Sequence, residues 1–431
     1  MDHAALLDGA RTLVAGVVGA GEFGASFVYR SMRAPGLRVA GAADAQVERA
    51  VQAARRAGIP DEHIARCDSA AKARAAFGRG DFVACASAEI LCALELDFVV
   101  EATGSPEGGA RTALCALAAG RNVAMVSKEC DSVVGPILQA KAADAGLIHT
   151  PVDGDQPSLL VGLVTWARTL GLEILCAGKA SEFDFVSQEL QELPVLERPQ
   201  RGPDRPQRTP PDLCELGIVA NATGLLPDTP RLHAPIARTL ELPELFRPKR
   251  EGGLLGRAGV VDMFNCLRRP DEQSFAGGVF VIVRCDDRDT WRVLAEKGIP
   301  TSADGRCAML HNPVHLLGIE APITLLQSMV LKRPAAQLAP RVDLVGRAAR
   351  KLAAGTLLEA GERHSIPGVE PELAAAAPAR GANAVPFYMV QGCRVRKDVA
   401  AGALLTRDAL EPPADSMLWK LRAEQDARFF A

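Results

Sequence analysis

Several patterns that would fix a function early are missing from this chain of 431 residues. Its 11 cysteines are scattered, and none stands in a Cys-x-x-Cys pair. That argues against a zinc site and against a disulfide framework. Such cysteine usage suits a reducing compartment, so a cytoplasmic location is expected. No long run of like charge occurs, and the formal net charge is −3. Phosphate backbones need a basic face, so nucleic acid is not expected as a partner. No basic segment followed by an apolar core opens the chain, so no secretory signal is expected. The most apolar window, Leu159 to Leu175, contains Arg168 and Glu173. It is too short and too charged to span a bilayer, so no membrane partner is expected. Neither a nucleophile elbow nor a Walker loop is found.

What is there starts near the N-terminus. The composition, 48% hydrophobic and 23% charged, is that of a soluble globular protein with room for two to three domains. Leu13 to Val18 is a short apolar run and reads as a buried strand. Gly19-Ala20-Gly21-Glu22-Phe23-Gly24 follows at once, and Ala25 to Met32 reads as a helix. Gly19 makes a tight turn, Gly21 lets the backbone approach a pyrophosphate, and Gly24 lets the helix pack on the strand. The helix N-terminus then offers unpaired N–H groups to the phosphates. A second strand, Leu37 to Ala43, runs into Asp44. A carboxylate there can accept hydrogen bonds from the adenosine ribose, which favours NAD. It can equally cap the helix predicted over 46–57. Arg49 or Arg55 could meet a 2′-phosphate, so NADP stays open. The predicted cofactor contacts are Gly19, Gly21, Glu22, Phe23, Gly24 and Asp44. Ala102, Thr103 and Gly104 join them at the end of a later strand, Asp97 to Gly104.

From 13 to about 150, strands and helices alternate, the mark of a parallel α/β sheet. Residues 1–12 read as a short helix. Ser69 caps another that stops near Gly78. Pro106 to Ala119 is a helix, and Asn122 to Ser127 a strand with Lys128 at its C-terminal end, counted as the fifth strand. Ligands of open parallel sheets bind beyond the strand C-termini. A lysine there can hydrogen-bond a substrate oxygen and supply a proton; the plain alternative is a surface ion pair with Glu129 or Asp131.

Near residue 150 the texture changes. Pro151 to Pro157 is a loop of turn residues, and Ser158 is the predicted cap of a helix to Leu170. Asp153 and Asp155 flank Gly154. They could bind substrate hydroxyls, a cation or the lysine, or merely stabilise an Asx turn. Leu172 to Ala180 reads as a strand, with Lys179 near its end as a further catalytic candidate at a domain cleft. Residues 194–211 hold six prolines and read as a flexible surface loop. A helix is predicted over Asp212 to Leu225, placing Glu215 and Asn221 on different faces. Two strong strands, Gly259 to Leu267 and Gly277 to Cys285, are joined by a polar turn, so 150–332 reads as α+β with a largely antiparallel sheet. Lys249-Arg250 could bind a phosphate or carboxylate, or be a solvated turn. His311 and His315 have metal-like spacing, but Pro313 breaks any helix that would align them, and no metal is expected. Lys332 to Pro340 is a Pro-bearing linker. Beyond it, Ala349 to Leu358 is echoed by Val395 to Leu405, each with a basic pair, Ala-Gly and a leucine pair. Two equivalent turns of a small β module, about 342–413, are expected.

The glycine loop, Val100-Glu101-Ala102-Thr103-Gly104, Gly154-Asp155-Gln156-Pro157 and Ala220-Asn221-Ala222-Thr223-Gly224-Leu225 together give a resemblance. The chain resembles the homoserine-dehydrogenase-like oxidoreductases that carry a C-terminal SAF domain, a group that includes the enzymes similar to 1-deoxy-D-xylulose 5-phosphate reductoisomerase (DXR-like). The resemblance implies an α/β fold with three parts. They are an N-terminal Rossmann dinucleotide-binding domain (1–150), a central α+β catalytic domain (151–332) and a small C-terminal β-clip SAF domain (342–413). The chain departs from the DXR-like pattern where Asp-Gly-Thr-Lys-Ser would precede the Ala220–Leu225 segment, so deoxyxylulose phosphate does not follow as substrate. Ser127-Lys128-Glu129 looks like the lysine ending the fifth strand of homoserine dehydrogenases. The expected activity is an NAD- or NADP-dependent oxidoreductase acting on a small hydroxy or oxo substrate: a sugar acid, hydroxy acid or sugar phosphate. The catalytic candidates are Lys128, Lys179, Asp155 and Asp153, and a homo-oligomer is expected. The alternative is a non-catalytic NAD(P)-binding sensor or scaffold with the SAF module as its interaction surface.

Overall fold

The computed structural model describes residues 3–7, 11–198 and 208–430. The chain divides into two compact units. The first holds 1–158, 316–338 and 412–431; the second holds 159–315 and 339–411. Residues 316–332, expected with the central domain, fall in the first unit together with the linker residues 333–338, and most of 342–413 shares a unit with 159–315.

The first unit is built on seven strands: β1 Leu13–Val18, β2 Leu37–Ala43, β3 Ile64–Cys67, β4 Phe82–Cys85, β5 Phe98–Glu101, β6 Asn122–Met125 and β7 His149–Pro151. Their order is β3-β4-β2-β1-β5-β6-β7. Every pairing is parallel. Central strands of such a sheet are covered on both faces and read as unbroken apolar runs; Leu13–Val18 does so, with five of six residues buried. Val17, Phe27, Val28, Val39, Ala54, Phe98 and Ala124 share one core with Ala321 and Leu325. That burial is why helix Ala321–Leu331 returns to this unit.

Three expectations need correction here. Strands β3 and β4 lie outside the expected set, so the strand before Lys128 is the sixth in chain order. That strand stops at Met125, and Lys128 opens helix Lys128–Asp144 instead of ending a strand. Residues His3–Leu6 form a 3-10 turn and not a helix to residue 12; Ala10 lies outside the described residues. The Ser69 cap holds, its hydroxyl accepting from the Lys72 N–H.

In the second unit the strands are β8 Ile174–Ala180, β9 Leu226–Pro227, β10 Ile236–Ala237, β11 Val260–Cys266, β12 Val279–Arg284 and β13 Cys307–Asn312. The sheet order is β10-β11-β8-β12-β13, with β9 on β11. The two strong strands β11 and β12 are not neighbours. β8, buried at all seven positions, lies between them, parallel to β11 and antiparallel to β12. The sheet is mixed, which corrects the largely antiparallel reading.

Helix Pro210–Thr223 is set by a capping box between Thr209 and Asp212 and stopped by Gly224 in the left-handed region. Asn221 on this helix accepts the N–H groups of Arg341 and Val342 at 2.8 Å and donates to the Val342 carbonyl at 3.0 Å. It thereby fastens β14 Val342–Ala348, which pairs antiparallel with β15 Val369–Ala375. Leu352 and Val399, one in each half of the internal echo, exchange two backbone hydrogen bonds of 2.9 Å. Of the proline-rich loop, Val195–Glu197 is a 3-10 turn and buried Arg198 pairs with Glu241 at 2.9 Å. Residues 199–207 lie outside the described residues.

Candidate functional site

The glycine turn sits where β1 is flanked by β2 on one side and β5 on the other. The order of strands reverses there, and open parallel sheets bind ligands in the crevice past that point. The three glycines are required for different reasons. Gly19 has φ +96°, and an added Cβ would lie 2.5 Å from the Ala102 carbonyl oxygen. A Cβ on Gly24 would collide with the carbonyl oxygen of Gly19. A Cβ on Gly21 would meet no atom within 4 Å. Gly21 is the N-cap of helix Glu22–Ser31 and supplies no side-chain cap. Packing constrains the first and third glycines, while the space beside the second is open in front of a helix N-terminus. A pyrophosphate fits that cradle.

Asp44 braces the turn. One carboxylate oxygen accepts the Ala20 N–H and the other the Gln46 N–H, both at 2.9 Å. Each oxygen keeps a further lone pair for a ribose hydroxyl. Arg55 is already engaged with Asp61 at 2.7 Å. At the end of β5, Glu101 is fully buried and accepts the N–H and hydroxyl of Thr103. Burial pushes the Glu101 carboxyl up, against the pull of its bonds to Ser127 and Thr103. The Ser127 hydroxyl accepts the Gly104 N–H at 2.8 Å. These bonds fix Ala102, Thr103 and Gly104 beside the glycine turn.

Beyond β6, the Lys128 ammonium lies 3.4 Å from an oxygen of Asp155, the two side chains 19% and 17% exposed. Asp131, the alternative partner, is instead bonded to the ring Nε2 of buried His149 at 2.7 Å. Asp153 donates its backbone N–H to the Thr324 hydroxyl at 2.8 Å and accepts the Ser158 hydroxyl at 2.5 Å. Ser158 is therefore not a helix cap, and the helix begins at Gln156. Between the two aspartates, Gly154 has φ +88°, and an added Cβ would collide with the Leu317 carbonyl oxygen. The turn positions Asp155 with little freedom.

The remaining candidates lie in the second unit. Lys179 is 1% exposed, bonded to Asp212 at 2.8 Å and also to Glu215. Burial alone would lower the ammonium, but the two carboxylates outweigh it and hold Lys179 above its ordinary value. Lys249 and Arg250 form an exposed 3-10 turn. His311 lies on β13, and the His315 ring Nδ1 is 3.1 Å from the Gly277 carbonyl.

His233 was not singled out from the sequence. Its ring Nδ1 is 2.6 Å from Asp262, whose other oxygen accepts the N–H groups of His233 and Met263 at 2.9 Å. The flanking Leu232 and Ala234 have φ of 58° and 46°, a costly conformation for non-glycine residues. The available signal was an acid inside an apolar strand, Val260-Val261-Asp262-Met263-Phe264. Among the described residues no helix is long and apolar enough to cross a membrane.

Residues 154–321 match the family model described as oxidoreductase DRL, catalytic domain. No curated protein matches the chain. Among solved structures, it is similar to a UDP-N-acetylglucosamine 3-dehydrogenase from Acidithiobacillus ferrooxidans, at 14% identity over 75% of this chain and 90% of that one, TM-score 0.40. A probable dehydrogenase from Thermotoga maritima gives 10% identity, the same coverage and TM-score 0.41. A 1-deoxy-D-xylulose 5-phosphate reductoisomerase from Zymomonas mobilis, in complex with NADPH, gives 18% identity over 41% of this chain and 46% of that one, TM-score 0.28. The chain spans about half the length of several such structures. Likeness this loose carries no argument about substrate or site. Residues 154–321 carry the match to an oxidoreductase catalytic domain, and the glycine turn of the parallel sheet has the form of a dinucleotide cradle.

Proposed function

We propose that this chain is an NAD(P)-dependent oxidoreductase that interconverts a hydroxyl and a carbonyl on a small polar substrate, of the class of sugar acids, hydroxy acids or sugar phosphates. Within that reading it is homoserine-dehydrogenase-like or DXR-like, with the 342–413 segment as its SAF-like module. A cytoplasmic homo-oligomer completes the reading, and eleven cysteines in no disulfide among the described residues suit a reducing compartment.

The carrying observation is the Lys128–Asp155 pair past the end of β6. Gly19 to Gly24 would hold the pyrophosphate, Asp44 the adenosine ribose, and the 102–104 turn the far side of the crevice. Bound there, the nicotinamide supplies hydride chemistry. Lys128 donates a hydrogen bond to the substrate oxygen and moves the proton at its Nζ. Asp155 orients that ammonium. Asp153, locked by Ser158 and Thr324, keeps the turn rigid. An ammonium aimed at an oxygen that gains charge stabilises the transition state more than the ground state.

The test is a screen of sugar acids, hydroxy acids and sugar phosphates with NAD and NADP, read by nicotinamide absorbance, followed by Lys128→Met. The variant should lose about 10²-fold or more in kcat with cofactor affinity nearly intact. Near-wild-type turnover would exclude Lys128 from the chemical step.

A further inference from the structure

A second cavity lies wholly within the second unit and is not part of the dinucleotide crevice. It has a volume of about 250 Å³ and is bounded by Arg238, Leu240, Arg268, Glu272, Phe275 and His311, among others. We propose that this cavity binds a single neutral polyhydroxylated ring, a monosaccharide or cyclic polyol.

Three features of the cavity define that ligand. The first is charge. Arg238 is paired with Glu272 at 2.9 Å, and Arg268 with Asp184 at 2.5 Å. The two guanidinium charges are thus balanced by two carboxylates, and an anion entering the cavity would meet Glu272. The second is the mixture of donors and acceptors. Glu272 accepts the Arg269 N–H at 2.8 Å, and that bond first, then the charge of Arg238, holds its carboxyl below the ordinary range. It is an acceptor at neutral pH. His311 is exposed on β13, and its neutral ring offers one donor and one acceptor. A hydroxyl is likewise a donor and an acceptor at once. Planar groups of both kinds, held by their own pairs, fit adjacent hydroxyls without reorganising. The third is shape. His311 is tilted over Phe275, ring centroids 5.6 Å apart, and Leu240 and Pro313 add apolar surface for the C–H edges of a ring. The volume lies below the roughly 300 Å³ at which drug-sized sites begin, so one ring fits and two do not.

The proposal does not depend on which substrate the dinucleotide site serves, and its test needs no turnover. The full chain is titrated with D-glucose by saturation-transfer NMR, and with D-gluconate, the anionic open-chain counterpart. Glucose should bind with an affinity unchanged between about 50 mM and 500 mM salt, because no net charge is neutralised, and inorganic phosphate should not displace it. Arg238→Ala and His311→Ala remove partly exposed side chains outside the core. Each should weaken glucose binding about tenfold while the thermal midpoint stays in place, and the second variant decides the matter if the first does not fold. Absence of transfer from glucose would overturn the proposal. So would tighter, salt-sensitive binding of gluconate, or glucose binding unchanged in the folded variants.

Discussion

Lys128 and Lys179 look alike in sequence, each following an apolar run, but their surroundings give them opposite burdens. Lys179 is enclosed with Asp212 and Glu215, all three side chains at most 3% exposed. Taking away one partner of a buried ion cluster leaves uncompensated charge, at a cost of about 3–5 kcal/mol. Lys179→Met should therefore lower the free energy of unfolding by that amount, measured by urea denaturation without any cofactor. Unchanged stability with lost turnover would instead assign Lys179 to the chemical step. Lys128 is partly exposed and 3.4 Å from its partner. That separation is long for an ion pair and the ammonium keeps some contact with solvent, so Lys128→Met should lose less stability than Lys179→Met. Neither partner of Lys179 could be read from the chain. Asp212 and Glu215 are brought to it by helix Pro210–Thr223, far along the chain, and only tertiary packing selects which face of that helix meets β8.

Elements were legible where local signals agree and lost where they conflict or are absent. The run Leu13–Val18, the glycines after it and the helix that follows were all readable, because strand, turn and helix signals succeed one another without overlap. Strands β3 and β4 were not, although β5 and β6 are equally short: β3 is an edge strand with an arginine and only one buried residue of four, so it shows no apolar run, and β4 is found only as its neighbour in the sheet. The place of β8 between β11 and β12 was also hidden. Sequence proximity favoured a hairpin, but an all-buried strand gains most at the centre of a sheet. The segment 228–234 was read as nothing in particular. It is pinned to β11 through His233 and Asp262, and that bond predicts a pH dependence. Burial pulls the imidazole down, but the hydrogen bond and charge of Asp262, with Asp228 beyond, outweigh burial and the opposing charge of Lys249, and the net shift is upward. A raised folded-state value means that the stabilisation is complete below the unfolded value of about 6.5 and is lost as pH rises through the folded one. Urea midpoints measured from about pH 6 to 9 should fall more steeply in the wild type than in His233→Gln. Equal slopes would show that His233 is not the titrating group.

Over the whole molecule, the two units are each non-contiguous in sequence. A change from alternating βα units to a different texture is visible in a chain; the return of 316–338 and 412–431 to the first unit is not, since it depends on which core their apolar faces enter. The catalytic-domain match over 154–321 begins at Gly154, inside the turn that positions Asp155. The central claim is that the first unit holds a nicotinamide dinucleotide in the space beside Gly21. The direct measurement is the affinity of the whole chain for NADH and for NADPH, by fluorescence titration, in the wild type and in Gly21→Val. No protein atom lies within 4 Å of the position a Cβ would take, so the variant should fold with an unchanged thermal midpoint. Its side chain would occupy the space that the pyrophosphate needs, so the affinity for the preferred cofactor should fall at least about tenfold, a loss of about 1.4 kcal/mol or more. Equal affinity in the folded variant, or no binding of either cofactor by the wild type, would contradict the claim.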